Sequence, residues 1–496
     1  MNADCQIPLK SNLVYLPLSM YSIILSLLTL TCMISQCKKD PGITQAAAPV
    51  MPSLDTMPSF ECYTTRADGS LLLFKNYVSI HTGIAGNGYP TIRLDTTRSY
   101  QSIDGFGFTL TGGSATLIHK MDEANRRSLL NELFSADKTN IQVLRISIGA
   151  SDLSDRVFTY DDHGGPGDEN LSKFSFADDT MDLIPVLKEI VAINPKIKLL
   201  GSPWTAPLWM KDNNNSIGGA LDPRYYKVYA SYLVRYIQEM QKLNFPLFAI
   251  TLQNEPQHGG NNPSMVFSSE QEREFVKNHL GPAFKAAGIS TKILVWDHNC
   301  DNPNYPINIL NDPVARQYID GSAFHLYNGS ISALSTVHIA HPDKNLYFTE
   351  QWTGSNGTFS GDLMWHVRNV LIGSLKNWSR MALEWNLASD PTYSIHTKGG
   401  CTECKGGLTI QGSTVSKNVG YYIIAHASGF IPSGSIRMES NDLPNTINVF
   451  VKRPDGKKVL ILLNDSGQEI DFNIVLGTHF ITNRINGHTV QTYIWN

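Results

Sequence analysis

Leu247-Phe-Ala-Ile-Thr-Leu-Gln-Asn254-Glu255-Pro256 is an apolar run that breaks off into an amide, a carboxylate and a proline. An apolar run of this length, closed by a turn former, reads as a strand buried on both faces. Residues 222–243 before it carry apolar side chains at helical spacing, and 269–287 after it do the same, opening on Ser268 and Ser269 as caps. Helix, strand, helix with no hairpin signal between them predicts a parallel βα unit.

Working outward, the alternation recurs from Gly105 onward. Strand candidates fall at 105–110, 141–148, 197–202, 247–254, 292–298, 321–326, 345–350 and 380–386, with helical segments between them and a last helix at 418–429. Eight such units in succession predict a (β/α)8 TIM barrel over 101–430 rather than an open sheet. The flanks differ. Residues 61–100 (with LLLFKN and TIRLD) and 431–496 (with TINVFVKR, KVLILLND, DFNIVL and TVQTYIWN) show alternating strands and Gly, Pro and Asp turns without a helix. The two ends of the chain therefore predict one β-sandwich attached to the barrel, an α/β fold with an all-β partner.

Composition narrows the partners. A chain of 496 residues with 42% hydrophobic and 17% charged residues buries large cores, and a net charge of −4 with scattered basic residues lacks a nucleic-acid footprint. No dinucleotide fingerprint is present, and the Gly-rich acidic stretch Asp161-Asp162-His163-Gly164-Gly165 lacks phosphate-loop spacing, so no cofactor is expected. Calcium is left as an open reading of that stretch. Residues 21–34 (YSIILSLLTLTCMI) read as the apolar core of a secretion signal spanning 1–37, short of the ~20 residues a spanning helix needs. Ile34-Ser35-Gln36-Cys37 resembles a bacterial lipobox with Cys37 as the lipidated residue, although Gln36 departs from the small residue expected there. That reading predicts export across the inner membrane and a lipid anchor in a bacterial envelope, with 38–60 as a flexible tether. An ordinary cleaved signal and an uncleaved anchor are the alternatives. Cys401-Thr-Glu-Cys404 is a lone CxxC without a second pair or a His cluster, which disfavours zinc, and no metal site is expected. A local disulfide is preferred there over two free thiols.

In a barrel of this type chemistry gathers at the C-terminal strand ends. The second strand runs out through Arg145 to Asp152, the third into Ser202-Pro-Trp204, and the fourth into Asn254-Glu255. The sixth ends in His325-Leu-Tyr327, the seventh in Thr349-Glu350 and the eighth in Glu384-Trp385-Asn386. Cleaving a glycosidic bond takes one carboxylic acid to protonate the leaving oxygen and one carboxylate across the anomeric carbon. Glu255 and Glu350, on opposite walls, are the candidate catalytic pair.

Seven stretches carry a specific resemblance: IDGFGF at 103–108, LRISIGASDLS at 144–154, LGSPWTAPLWMKDN at 200–213, ITLQNEPQ at 250–257, AFHLY at 323–327, YFTEQW at 347–352 and LEWNLASD at 383–390. In this order they resemble glycoside hydrolase family 30, which includes glucosylceramidases, β-glucosidases, β-xylosidases and endo-β-1,6-glucanases. The resemblance implies Glu255 as general acid/base, Glu350 as nucleophile, and a double displacement that retains β configuration. It further implies Asn254 as donor to the sugar 2-hydroxyl, Arg145 beside the nucleophile, and Asp152, Trp204 and Trp385 around the sugar, with His325 and Tyr327 on the floor.

Each of these residues also has a plain structural reading: packing for the indoles, a satisfied core histidine for His325, an ion pair for Arg145. Asp104 reads as structural. The loop at 399–407 (GGCTECKGG) is similar to one in the β-1,6-glucanase branch, which favours a β-glucan over a glucosylceramide-type substrate. A β-xylosidase is the alternative within the family, and a catalytically inactive carbohydrate-binding lipoprotein the alternative outside it. Expected partners are a carbohydrate or glycolipid substrate and a membrane reached only through the anchor.

Overall fold

The computed structural model describes residues Ser59–Asn496. The expected signal segment 1–37 with Cys37, and nearly all of the expected tether 38–60, lie outside the described residues.

Eight parallel strands close into a barrel: β1 (Gly105–Thr109), β2 (Val143–Ile148), β3 (Lys198–Pro203), β4 (Leu247–Thr251), β5 (Lys292–Cys300), β6 (Ile319–Gly329), β7 (Asn345–Glu350) and β8 (Ser379–Asn386). Each pairs with its sequence neighbour, and β8 returns to β1. β4 ends earlier than its apolar run implied. The reason is that Asn254 N–H donates to the Pro203 carbonyl and Glu255 N–H to the Asp297 carbonyl, which turns the chain across the barrel mouth. The segment at 269–287 is one helical body whose middle turn, Val276–Leu280, widens to a π-helix, and its start is a capping box of Ser268 with Gln271.

The two-residue strand period sorts the barrel interior into layers. Val143, Leu200, Ala249, Leu294, Ala323, Tyr347, Met381 and Leu383 form a dry plug. Two residues further along their strands come Arg145, Ser202, Thr251, His325 and Thr349, all fully buried. A polar layer thus rests on an apolar one, and that layer carries the site. At the opposite mouth Asp104 takes Lys198 Nζ at 2.7 Å and Arg380 Nε at 2.6 Å, a structural clasp between strands as expected.

The sandwich uses both chain ends. Ser59–Arg66 pairs antiparallel with Phe74–Ser79 on one side and Thr489–Trp495 on the other. Thr91–Ser102 links the two layers, running antiparallel to Ile436–Ser440 and, at Thr91 to Arg93, parallel to Ile470–Leu476. Phe60, Ile92, Phe450, Leu460, Leu462, Phe472 and Tyr493 fill its core. The other face of the same sheet, through Val449, Val451, Ile461 and Val490, belongs to the core that surrounds the barrel. Ile436–Ser440, His479–Ile485 and the hairpin Leu408–Gln411 with Thr414–Lys417 are strands that the sequence patterns did not reveal, being short and half polar.

Candidate active site

Arg145 on β2 is the hub. Its guanidinium donates to Glu350 Oε2 at 2.5 Å, Asn254 Oδ1 at 2.6 Å, Asp297 Oδ2 at 2.8 Å and Ser202 Oγ at 3.1 Å. A buried guanidinium costs several kcal/mol unless paired, and here two carboxylates compensate it. Asp297 is the second hub. Ser202 and Thr251 hydroxyls donate to its Oδ2 at 2.7 Å each, the Thr349 hydroxyl to Oδ1 at 2.7 Å, and His325 Nε2 lies 3.1 Å from Oδ1. Burial pushes Asp297 up, but the Arg145 charge, with His325 and Thr251, holds it well below the ordinary carboxylate range.

His325 Nδ1 stands between the two candidate catalytic carboxylates, 3.3 Å from Glu255 Oε1 and 3.5 Å from Glu350 Oε1. The sum of these distances caps the separation of the two oxygens. That cap leaves room for the ~5–5.5 Å of a retaining pair and rules out most of the ~6.5–9.5 Å of an inverting one. Tyr327 OH donates to Glu350 Oε1 at 3.0 Å, and His298 Nδ1 lies 3.6 Å from Glu255 Oε1. Burial lowers His325, yet the Glu350 charge, with Asp297 and Glu255, raises it to about 9. Burial raises Glu255, but His298 and His325 bring it below the usual range. Glu350 is raised: burial, with the Glu255 and Asp297 charges, outweighs His325 and Arg145. The two carboxyls titrate as one system.

Glu255 sits at φ 48°, a left-handed conformation that a residue with a Cβ adopts at a cost of ~1–3 kcal/mol. The adjacent β5 residues Trp296 (φ 78°) and Asp297 (φ 60°) do the same, and the Asp297 carbonyl takes the Glu255 N–H at 3.0 Å. The strained corners support each other.

Above the carboxylates is a pocket of about 300 Å³ lined by Asp152, Trp204, Asn254, Tyr327, Trp352 and Trp385 among others. Trp204 and Trp385 lie 5.5 Å apart between ring centres, and the Arg145 guanidinium packs 4.8 Å over Trp204. Cys401 and Cys404 form a disulfide on the pocket wall. The Cys401 backbone N–H also faces Asp152, and burial, with the Glu350 and Glu255 charges, raises Asp152 to about 7 against that contact.

The structure brings Arg145, Asp152, Trp204, Asn254, Glu255, His325, Tyr327, Glu350 and Trp385 to one mouth of the barrel. Sequence reasoning missed Asp297, His298, Trp352 and the Ser202, Thr251, Thr349 hydroxyl set. Asp297-His298 was detectable, since it follows the apolar run Ile293-Leu-Val-Trp296 at a strand end, the position that marked the other residues. The hydroxyls carried no signal, because β-branched Thr in a strand is ordinary.

Comparison with known proteins agrees with this geometry. The glycosyl hydrolase family 30 TIM-barrel domain matches residues 103–431, and the glycosyl hydrolase family 30 beta sandwich domain matches 434–493. An endo-1,6-beta-D-glucanase of Aspergillus fumigatus is 32% identical over 433 residues, covering 80% of this chain and 87% of its own. The lysosomal acid glucosylceramidase of Mus musculus is 27% identical over 479 residues, covering 90% of each chain. A solved endo-beta1,6-glucanase superposes with a TM-score of 0.82 at 34% identity, covering 88% of this chain and 99% of its own. A two-domain match over most of the chain, on a barrel with a carboxylate pair at its mouth, makes this protein a glycosidase that belongs to glycosyl hydrolase family 30.

Proposed function

We propose that the enzyme cleaves β-1,6-linked glucan by double displacement, with Glu350 as nucleophile and Glu255 as acid/base. The observation that carries the roles is the asymmetry of their neighbours. Glu350 is bound by Arg145, whose proton does not leave at any working pH, whereas Glu255 faces two imidazoles, whose ring nitrogens can give or take a proton. The local charges order the two carboxyls the opposite way: His298 and His325 hold Glu255 low, burial beside the Glu255 and Asp297 charges raises Glu350, and His325, raised to about 9, carries a proton. That proton is already a hydrogen bond from Glu255 and passes to it as a glycosidic oxygen takes the position opposite. Glu350 then attacks the anomeric carbon, Glu255 gives its proton to the leaving oxygen, and the resulting Glu255 carboxylate activates water against the glycosyl ester. Asn254, its carbonyl oxygen held by Arg145, turns its amide nitrogen to the sugar 2-hydroxyl.

The substrate reading rests on the relatives named as endo-1,6-beta-glucanases at 31–34% identity, and on the disulfide loop beside Asp152. A glucosylceramide-type β-glucoside is the second reading, favoured by the mouse relative. The export signal and the Cys37 anchor belong to the same proposal and place the enzyme at a bacterial envelope, where a polymer is met outside the cell. Side-by-side product analysis on pustulan, gentiobiose, cellobiose, xylobiose and glucosylceramide is the test. Release of gentio-oligosaccharides from pustulan is expected; turnover of glucosylceramide with no action on pustulan overturns the glucan reading.

A further inference from the structure

Glu255, His298 and His325 are the described residues whose ligand atoms cluster tightly enough for an ion, all three within 4.8 Å of one another. We propose that this trio is a binding site for a divalent d-block cation such as Zn²⁺, which occupies the acid/base carboxylate and excludes the sugar.

The spacing fits. A tetrahedral ion about 2.1 Å from each donor sets neighbouring donors about 3.4 Å apart. Glu255 Oε1 lies 3.3 Å from His325 Nδ1 and 3.6 Å from His298 Nδ1. His298 Nδ1 is buried and makes no hydrogen bond among the described residues, with Glu255 Oε1 just beyond hydrogen-bond distance, so its lone pair is available to an ion in the cluster. His325 has its other nitrogen on Asp297, 3.1 Å from Oδ1, and Asp297 is itself fixed by three hydroxyls. This is the carboxylate–histidine arrangement that orients an imidazole toward a metal and raises its basicity. Two imidazoles and one carboxylate are the ligand types that suit zinc rather than calcium or magnesium.

Charge points the same way. Glu255, Glu350 and Asp297 face Arg145 and a protonated His325, so the cluster keeps one net negative charge, and an ion binding at His325 Nδ1 displaces the proton there. Glu255 and His298 also line the open pocket, which leaves the fourth coordination position to water and gives the ion a route in. Because Glu255 is a ligand, ion and substrate compete for it.

The experiment is a chelator-buffered Zn²⁺ titration of the full enzyme by equilibrium dialysis, repeated on His298→Gln and on the wild type saturated with 1-deoxynojirimycin, a glucose-shaped pocket ligand. Expected are one Zn²⁺ per chain, at least tenfold weaker binding in His298→Gln, and loss of Zn²⁺ as the iminosugar fills the pocket. The second comparison needs no substitution, so a folding defect in the variant does not decide the matter. Unchanged stoichiometry and affinity in folded His298→Gln, as a site on Cys62 or Cys300 would give, overturns the proposal. So does simultaneous, independent binding of Zn²⁺ and the iminosugar.

Discussion

Arg145 touches four side chains from four other strands or strand ends, which makes one residue answerable for both charge balance and catalytic geometry. Replacing it by Gln strands Asp297 and Glu350 without a counter-charge, and a loss of about 3–5 kcal/mol is expected in denaturant unfolding. Arg145→Lys keeps the charge but not the fork of donors, so it should lose less stability and still lose turnover. Equal stability loss in the two variants would argue that geometry, not charge, is what the site needs. Glu350→Gln is expected to remove turnover with the melting temperature little changed; normal rates in that variant would end its assignment as nucleophile. For Glu255→Ala, rates on substrates with poor leaving groups should fall ~10²–10⁴-fold, with activated aryl glucosides partly spared and azide restoring the second step. Uniform loss across leaving groups would count against an acid/base role.

At the scale of elements, the helix at 269–287 and β5 hold the strained corner in place. Glu272 is fully buried on that helix and its carboxylate accepts the Trp296 N–H at 3.3 Å, next to the two left-handed residues of β5. Burial, with the Asp297 charge adding to it, raises Glu272 to about 8. A free Glu titrates near ~4.3, so between that pH and about 8 the folded state keeps a proton that the unfolded state has released. Stability from this group is therefore full below ~4.3 and is lost as pH rises through the window, at up to ~1.4 kcal/mol per pH unit. Glu272→Gln keeps an acceptor for Trp296 and cannot ionise. Chemical denaturation from pH 5 to 8 should show a flatter decline in that variant, and an unchanged slope would refute the account. Barrel closure has its own tight points: a Cβ at Gly107 or Gly321 would overlap the carbonyl oxygen of Val143 or Asn345 on the neighbouring strand. Gly107→Ala should cost on the order of 3 kcal/mol or prevent soluble expression.

Across the whole molecule, the sandwich shares its inner face with the barrel. Val449, Val451, Val459, Ile461 and Val490 lie in one core with Ile423 and Ile424 of the last barrel helix, Val419–Ser428. His426 on that helix is clasped between Thr492 Oγ1 at 2.9 Å and Thr65 Oγ1 at 2.8 Å, one from each end of the chain, and burial lowers it to about 3 so that it is neutral. Arg368 pairs with Asp465 across the same seam. A shared core couples unfolding, so calorimetry should show a single transition for barrel and sandwich. Two transitions, only one of which moves in Gly107→Ala, would show that the sandwich is an independent unit.

The barrel, the sandwich built from two chain ends, and most of the site were legible in the linear order of residues. Strand and helix periods are local, and a polar residue closing an apolar strand marks the barrel mouth wherever it occurs. Glu255 and Glu350 stood out for that reason. What only the tertiary structure decided is which groups meet: that Asp297 underlies Arg145 and His325, that one imidazole nitrogen serves both carboxylates, and that His298 Nδ1 makes no hydrogen bond among the described residues. Those facts depend on closing eight strands in register and on three left-handed residues at the mouth, and distances across a closed sheet have no trace in local periodicity.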